Sequence, residues 1–317
     1  MATTTSITTS YAGEFTGKII SAALLSGKTI NNGGITVKPN VKYKEVIKVL
    51  SVGDLSANAT CDFSPTGSVT QVERYLTPKQ LQVNLQLCKN DFRSDWEAIS
   101  MGYSSFDVLP KNFADYLVGL VADKVAQEIE QNIWSGAVGV NGKFDGLQTL
   151  ATADATVIDV SGVSIGAGGI TASNVITELN KIVNAIPDTI YGSEGLNIYL
   201  PKNFVKAYIS ALGGFGASGL GANGTDGKGT QWYNSGSDLN FLGIPIFVAE
   251  GMTANWAMVA KSDNLFFGTG LLSDENEVKV LDQSEITGSQ NVNVIMRYSA
   301  CTNYGIGSEI VLYTPVA

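Results

Sequence analysis

The sequence has no histidine. That removes Ser-His-Asp and Cys-His nucleophilic systems and every histidine-ligated metal site. Cysteine is scarce: Cys61, Cys88 and Cys301 lie far apart and are odd in number, which suits neither a disulfide framework nor a zinc knuckle. They read as buried free thiols of a reducing compartment. Charged residues are thin, 15% against roughly 25% in an average soluble domain. Only three arginines occur, Arg74, Arg93 and Arg297, fewer than strong phosphate recognition usually uses. No apolar run reaches the roughly 18 residues of a membrane span, and the best candidate, Phe113 to Ala122, is interrupted by Asp115, so no membrane partner is expected. The opening Met1-Ala2-Thr3-Thr4-Thr5 has neither a basic start nor an apolar core and does not read as a secretory signal.

What is present is a chain of 317 residues, 44% hydrophobic, with 35 glycines. That is enough to bury a core, with glycine above its usual share of about 7%. The surface must be built largely of Ser, Thr, Asn and Gln. So neutral a surface resists association poorly, and much of it reads as interface. The net charge of −9 is unevenly spread. Residues 1–90 hold nine basic and five acidic side chains, and residues 91–317 hold eleven and twenty-four. The N-terminal lysines interleave with strand-like apolar residues and lack stacking aromatics, so a positive arm lying on the negative body of another copy is favoured over a nucleic-acid arm.

Residues 1–40 are rich in Thr, Ser, Asn and Gly and read as an extended arm, with a short helix near Gly17–Leu25. In 41–50, Val41, Tyr43, Ile47 and Val49 share one face with Glu45, and Lys42, Lys44 and Lys48 share the other with Val46, a period of two that predicts a strand. A turn-rich tip follows from Gly53 to Gly67. Leu81, Val83, Leu85 and Leu87 then alternate strictly with Gln82, Asn84 and Gln86, the cleanest strand pattern in the chain. Pairing these two strands gives an extended β-hairpin. A lone hairpin is marginal in water, so its apolar row is expected to lean on a neighbouring subunit. Lys42, Lys44, Lys48, Leu81, Val83, Leu85 and Leu87 are therefore the candidate inter-subunit contacts.

A short helix is expected over Asp91–Met101, then a long one from Pro110 to Trp134. There Ala114, Val118, Val121, Val125 and Ile129 recur at steps of three or four, and Gly136 stops it. Further helices are expected over Ser173–Ile186, with Ser173 as cap, and from Pro201 to Leu212. Eight glycines fall in residues 213–230, which reads as a loop. Strands are expected at Leu196–Leu200, Phe241–Ala249, Trp256–Ala260, Val278–Asp282, Val292–Cys301 and Glu309–Tyr313. The class is α+β, without repeats or βαβ alternation.

Apparent chemical motifs dissolve on inspection. Gly27-Lys28-Thr29 resembles the end of a phosphate loop, but the required earlier glycine is Ala22. Gly162-Val163-Ser164-Ile165-Gly166 spells a nucleophile elbow with no histidine to serve it. Asp274-Glu275-Asn276-Glu277 lacks the spacing of a calcium loop. The four tryptophans, Trp96, Trp134, Trp232 and Trp256, read as core or interface anchors. No catalytic residue, cofactor or metal is expected.

The order of elements (arm, long hairpin, long helix, loop-rich α+β body, C-terminal strands) resembles the major capsid protein of tailed bacteriophages, a fold shared with encapsulins. Gly142-Lys143-Phe144-Asp145-Gly146-Leu147, Asn264-Leu265-Phe266-Phe267-Gly268-Thr269-Gly270-Leu271, Val278-Lys279-Val280-Leu281 and Met296-Arg297-Tyr298 are similar to segments of that family. The resemblance implies an N-arm at 1–40, an extended loop at 41–90 and a peripheral domain at 91–170 with its spine helix at 109–135. It further implies an axial domain at 171–285 and a return to the peripheral domain at 286–317. It implies self-assembly into hexamers and pentamers, an icosahedral shell around double-stranded DNA held by non-specific proximity, and assembly in the host cytoplasm. A portal protein at one vertex and separate scaffold or decoration proteins are the other partners it implies. The rival expectations are an encapsulin-like compartment shell and, in another class, a secreted glycan-binding or hydrolytic protein, against which the missing signal and histidine argue.

Overall fold

A computed structural model describes residues 28–52, 56, 58, 61, 67–88, 111–164, 168–212, 239–270, 278–283 and 287–316. The helices expected near Gly17–Leu25 and over Asp91–Met101, the glycine-rich 213–230 segment and the acidic run 274–277 lie outside the described residues. So do Trp96 and Trp232.

The chain opens with a helical turn, α1 (Lys28–Asn31), and a short strand, β1 (Thr36–Lys38). Strands β2 (Glu45–Val52), β3 (Val69–Leu76) and β4 (Lys79–Cys88) follow. Helix α2 (Lys111–Ser135) has 25 residues and so spans about 37 Å. Next come α3 (Leu147–Ala153), β5 (Ile158–Ser164), α4 (Val175–Asn184), β6 (Leu196–Leu200) and α5 (Lys202–Leu212). The described C-terminal part is mostly strand, with short 3-10 turns at Ser262–Asn264 and Gly307–Glu309: β7 (Asn240–Phe241), β8 (Ile244–Val248), β9 (Ala257–Lys261), β10 (Leu265–Thr269), β11 (Val278–Asp282), β12 (Asn291–Tyr304) and β13 (Val311–Val316). The α+β class holds.

Two main sheets organise the body. One joins β1, β10, β12 and β11 in that order, with β4 also on β12. The other runs β5-β13-β9-β6-β8-β7. The second sheet is covered on both faces. Ile198, Leu200, Val259, Val311 and Tyr313 enter a core with α4 and α5, while Tyr199, Met258, Ala260 and Leu312 enter a core with α2 and the first sheet. A sheet covered twice shows short continuous apolar runs in place of alternation. Strand β6 also reaches its parallel partner β8 through α5, a crossover that the loop-rich sequence between them hides.

The hairpin is built differently from expectation. Strand β2 pairs antiparallel with β3, Glu45 opposite Leu76 through Val52 opposite Val69. Strand β4, the cleanest strand in the sequence, pairs instead with β12, Cys88 opposite Asn291 through Lys79 opposite Ala300. The physical reason is complementarity of rows. Leu81, Val83, Leu85 and Leu87 lie opposite Tyr298, Met296, Val294 and Val292, all four of them buried. The apolar row of β4 thus leans on its own chain. The strand over 41–50 also starts later, at Glu45. Val41 is buried and its amide donates to the Thr269 carbonyl at 3.0 Å, whereas Tyr43, assigned to the same face, is 87% exposed.

Other boundaries shift modestly. Asn174, not Ser173, immediately precedes α4. The single strand expected over Phe241–Ala249 is broken into β7 and β8 by a two-residue turn at Leu242-Gly243, both at positive φ. The sheets do not divide at the boundaries 170/171 and 285/286. β5 and β13 share the six-stranded sheet with β6, while β10 and β11 belong with β4 and β12.

Candidate assembly surface

The hairpin β2–β3 stands on the body by its base. Ile47 and Leu76 are buried with Cys301, and Val49 and Phe266 pack against them. Burial there pushes the Cys301 thiol up to about 12, so it is inert. Cys61 is exposed and Cys88 half-buried, so only Cys301 is the buried thiol expected of all three. The Asn303 amide donates to the Tyr75 carbonyl at 2.8 Å, and Lys38 pairs with Glu45 at 2.7 Å. Arg74 donates to the Asp154 carboxylate and its guanidinium lies 4.5 Å from the centre of the Tyr304 ring. Tyr304 donates to the same carboxylate oxygen at 2.8 Å, and the Thr156 amide and hydroxyl take the other at 2.9 and 2.7 Å. Partial burial works to raise the Asp154 carboxyl, but the bonds from Thr156, Arg74 and Tyr304 outweigh it and hold it well below the usual carboxylate range.

Away from the base the hairpin has a face that the described residues leave uncovered. Val46 and Tyr75 are opposite one another, Leu50 lies opposite Gln71, and Val69 ends the row. Leu50 and Val69 are 66% and 65% exposed. Lys48 sits opposite Glu73 in the same row, and Lys44 covers the Tyr75 ring at 3.5 Å. Isolated exposed apolar residues are ordinary, but an apolar row on a thin two-stranded ribbon is a candidate contact surface. Lys42, Lys44 and Lys48 are all exposed on or beside this ribbon. Leu81 is buried, and Val83 and Leu87 pack against the body's own core, while Leu85 keeps 36% exposure. The structure therefore brings the lysines to the ribbon and the four-residue leucine–valine row to the body. Val69 and Tyr75 were missed because apolar residues fall on both faces of β3, which blurs its period, whereas Val46 was placed on the lysine face of β2 without being read as a contact and Leu50 at its end was not assigned to a face.

The sequence motifs have structural work. Thr29 of the phosphate-loop lookalike accepts from the buried Trp134 indole at 2.9 Å and donates through its hydroxyl to buried Glu130, to which its amide also donates at 3.2 Å. Burial raises the Glu130 carboxyl above its ordinary range, against the pull of those bonds. Lys28 pairs with Glu250, which also meets Lys202 at 3.2 Å, and these contacts hold Glu250 below the usual range. A cavity of about 360 Å³ between them exposes no unengaged acid or base. Gly162 of the elbow lookalike lies in β5, where a Cβ would fall 2.5 Å from the Tyr313 ring. The segment 142–147 closes the exit of α2: Gly146 donates to Gly136 at 2.9 Å, Asp145 caps the Val138 amide at 2.7 Å, and Phe144 and Leu147 are buried. Among the described residues no group of three or more Cys, Asp or Glu side chains forms a metal site. Nor is any described helix long and apolar enough to cross a membrane.

The described residues thus form a body of two sheets and a long helix, with a two-stranded ribbon joined to it at one end. Solved structures place it more closely. The chain is similar to a chain of the satellite phage P4 procapsid including the size determination (Sid) protein, with 10% identity, 95% of this chain and 100% of that chain covered, and a TM-score of 0.55. It is similar to the capsid of a native GTA particle, with 15% identity, 92% and 90% covered, and a TM-score of 0.58. The capsid of Myoviridae phage XM1 gives 11%, 92% and 92%, and 0.56. At such identities the likeness is one of fold, and it extends over nearly the whole chain. The chain thus has the phage-capsid fold that its order of elements resembles. No family model and no curated protein matches the sequence.

Proposed function

We propose that this chain is the major capsid protein of a tailed bacteriophage, a structural protein that assembles into hexamers and pentamers of an icosahedral shell around double-stranded DNA. The observation that carries the reading is the ribbon: within a full-length capsid fold, β2–β3 presents an apolar row that the described residues leave uncovered. Heterologous contacts that close into rings need a surface of one copy that fits a different surface of the next. In this reading residues 1–40 are the arm, the β2–β3 ribbon is the extended loop, and α2 is the spine helix. The portions around the first and second sheets are the peripheral and axial domains. A portal protein at one vertex and scaffold or decoration proteins are its further partners, and assembly takes place in the host cytoplasm. The acidic body forms a wall that packaged DNA does not stick to. Negative-stain microscopy of the purified protein tests the reading: closed shells or ring-shaped capsomers are expected, and discrete monomers at every concentration overturn it. Salt-sensitive, sub-micromolar binding of the subunit to duplex DNA would refute the non-sticking wall.

A further inference from the structure

The ribbon is a cantilever. Its eight-residue strands span about 26 Å at roughly 3.3 Å per residue. Among the described residues, the contacts that tie it to the body fall on its inner part, from Glu45 to Val49 on one strand and from Arg74 to Leu76 on the other. Val72, directly opposite Val49, is already 48% exposed on the side that faces the body. A swing of about 10° at the base would carry the tip about 5 Å over that length, more than the separation at which apolar contact is kept. Whatever fixes the angle at the base therefore fixes where the apolar row meets its partner.

The apolar part of the base is small: Ile47, Leu76 and Cys301, with Val49 and Phe266. Apolar packing is non-directional and tolerates rotation. Besides the Lys38–Glu45 pair and the bond from Asn303 to the Tyr75 carbonyl, two directional contacts meet on Arg74. Its guanidinium is fixed twice, by the ion pair to Asp154 and by the Tyr304 ring beneath it. A planar fork held both in plane and by face has little rotational freedom. The carboxylate is itself immobilised by Thr156 and Tyr304. Gly307 leaves room for this cluster: a Cβ there would lie 2.1 Å from the Thr156 hydroxyl, 3.1 Å from Asp154 and 3.3 Å from Arg74. The three anchoring residues come from α3's C-terminal end, the turn after it and β12, elements bedded in the body.

We infer that Arg74, Asp154 and Tyr304 form a clamp that sets the angle at which the ribbon leaves the body, and through that angle the curvature of the shell. These are positioning residues: their contacts are with side chains of their own chain. The inference rests on the capsid reading for its second half only. Its first half concerns a single subunit.

Asp154→Asn keeps the shape of the side chain and removes its charge. Tyr304→Phe keeps the ring under Arg74 and removes one hydrogen bond. Hydrogen exchange of the isolated subunit at pH 7 reads the clamp directly. In Asp154→Asn the amides of residues 69–76 should exchange about tenfold faster while the six-stranded sheet keeps its wild-type protection; Tyr304→Phe should produce a smaller change in the same amides. Unchanged exchange at 69–76 overturns the clamp. Loss of protection in both sheets would show general unfolding and would likewise overturn a local role. Particle diameters by electron microscopy read the second half. Asp154→Asn should broaden the distribution or yield particles of more than one size, and a wild-type distribution despite faster exchange overturns the link to curvature. If the wild-type subunit forms no particles, the capsid reading fails and the exchange result still decides the clamp.

Discussion

Three residues show how local physics is set aside for a larger purpose. Gly136 sits where α2 ends, and a Cβ there would lie 2.2 Å from the Phe144 carbonyl and 2.7 Å from that of Asn132. Neither atom is the end of a flexible side chain, so the backbone itself must move. Gly136→Ala is expected to cost about 3 kcal/mol, the upper range for overpacking, seen as a lower urea midpoint without a change in slope. Leu242 presents the opposite case. It holds φ 49° in the two-residue turn between β7 and β8 and is 56% exposed, in a position that suits Asn. Leu242→Asn should stabilise the subunit by about 1 kcal/mol, raising its Tm by a few degrees. Asp154 gives a pH dependence whose sign follows from its depressed carboxyl. A carboxyl held lower in the folded state than in the unfolded chain contributes its full stabilisation at pH values above the ordinary carboxylate range, and that contribution declines below this range and is gone once pH has fallen through the depressed folded value. Protection of the 69–76 amides should therefore fall on acidification below about pH 4. In Asp154→Asn that step should be absent.

At the scale of elements, legibility followed periodicity. The helix α2 was readable because Val121, Val125 and Ile129 repeat on one face and are all buried. Strand β4 was readable as a strand for the same reason, but its partner was not. Alternation states which face is apolar and leaves open which chain segment lies alongside. The row Val292, Val294, Met296 and Tyr298 lies about 200 residues away in sequence and offered an equally regular match. The true return strand, β3, carries Val72 and Leu76 on one face and Val69 and Tyr75 on the other, so no period stood out. The candidate surface followed the same reading: its lysines lie on or beside the ribbon, and its apolar residues were sought on β4. Once the rows are assigned, the consequences separate. Leu85 faces Val294 in the body, so Leu85→Asp should destabilise the subunit itself. Leu50 is 66% exposed on the ribbon, so Leu50→Asp should leave the urea midpoint within about 0.5 kcal/mol of wild type and abolish particles. Normal particles from Leu50→Asp would remove the ribbon face from assembly.

For the whole molecule, what matters is how charge is distributed over a chain that has little of it. The basic excess lies in the first 90 residues, and the acidic excess in the rest. Within one subunit some of the basic groups are already matched, Lys28 to Glu250, Lys38 to Glu45 and Arg74 to Asp154. Lys42, Lys44 and Lys48 remain exposed and form none of the described salt bridges, although Lys44 lies over Tyr75 and Lys48 faces Glu73 across the ribbon. They stand beside the apolar row, so whatever covers the row brings its own charge close to them, and the body of a second copy is acidic. Exposed pairs of this kind add little affinity but guide encounter and register, and they are screened over a Debye length of about 10 Å at 0.1 M salt. Replacing all three lysines by glutamate should therefore slow assembly most at low ionic strength, with the gap to wild type narrowing as salt rises, while the apolar row keeps its share of the contact. Light scattering during assembly across a salt series measures both curves. A deficit of the same size at every ionic strength would mean that the lysines act by packing their stems and not by charge.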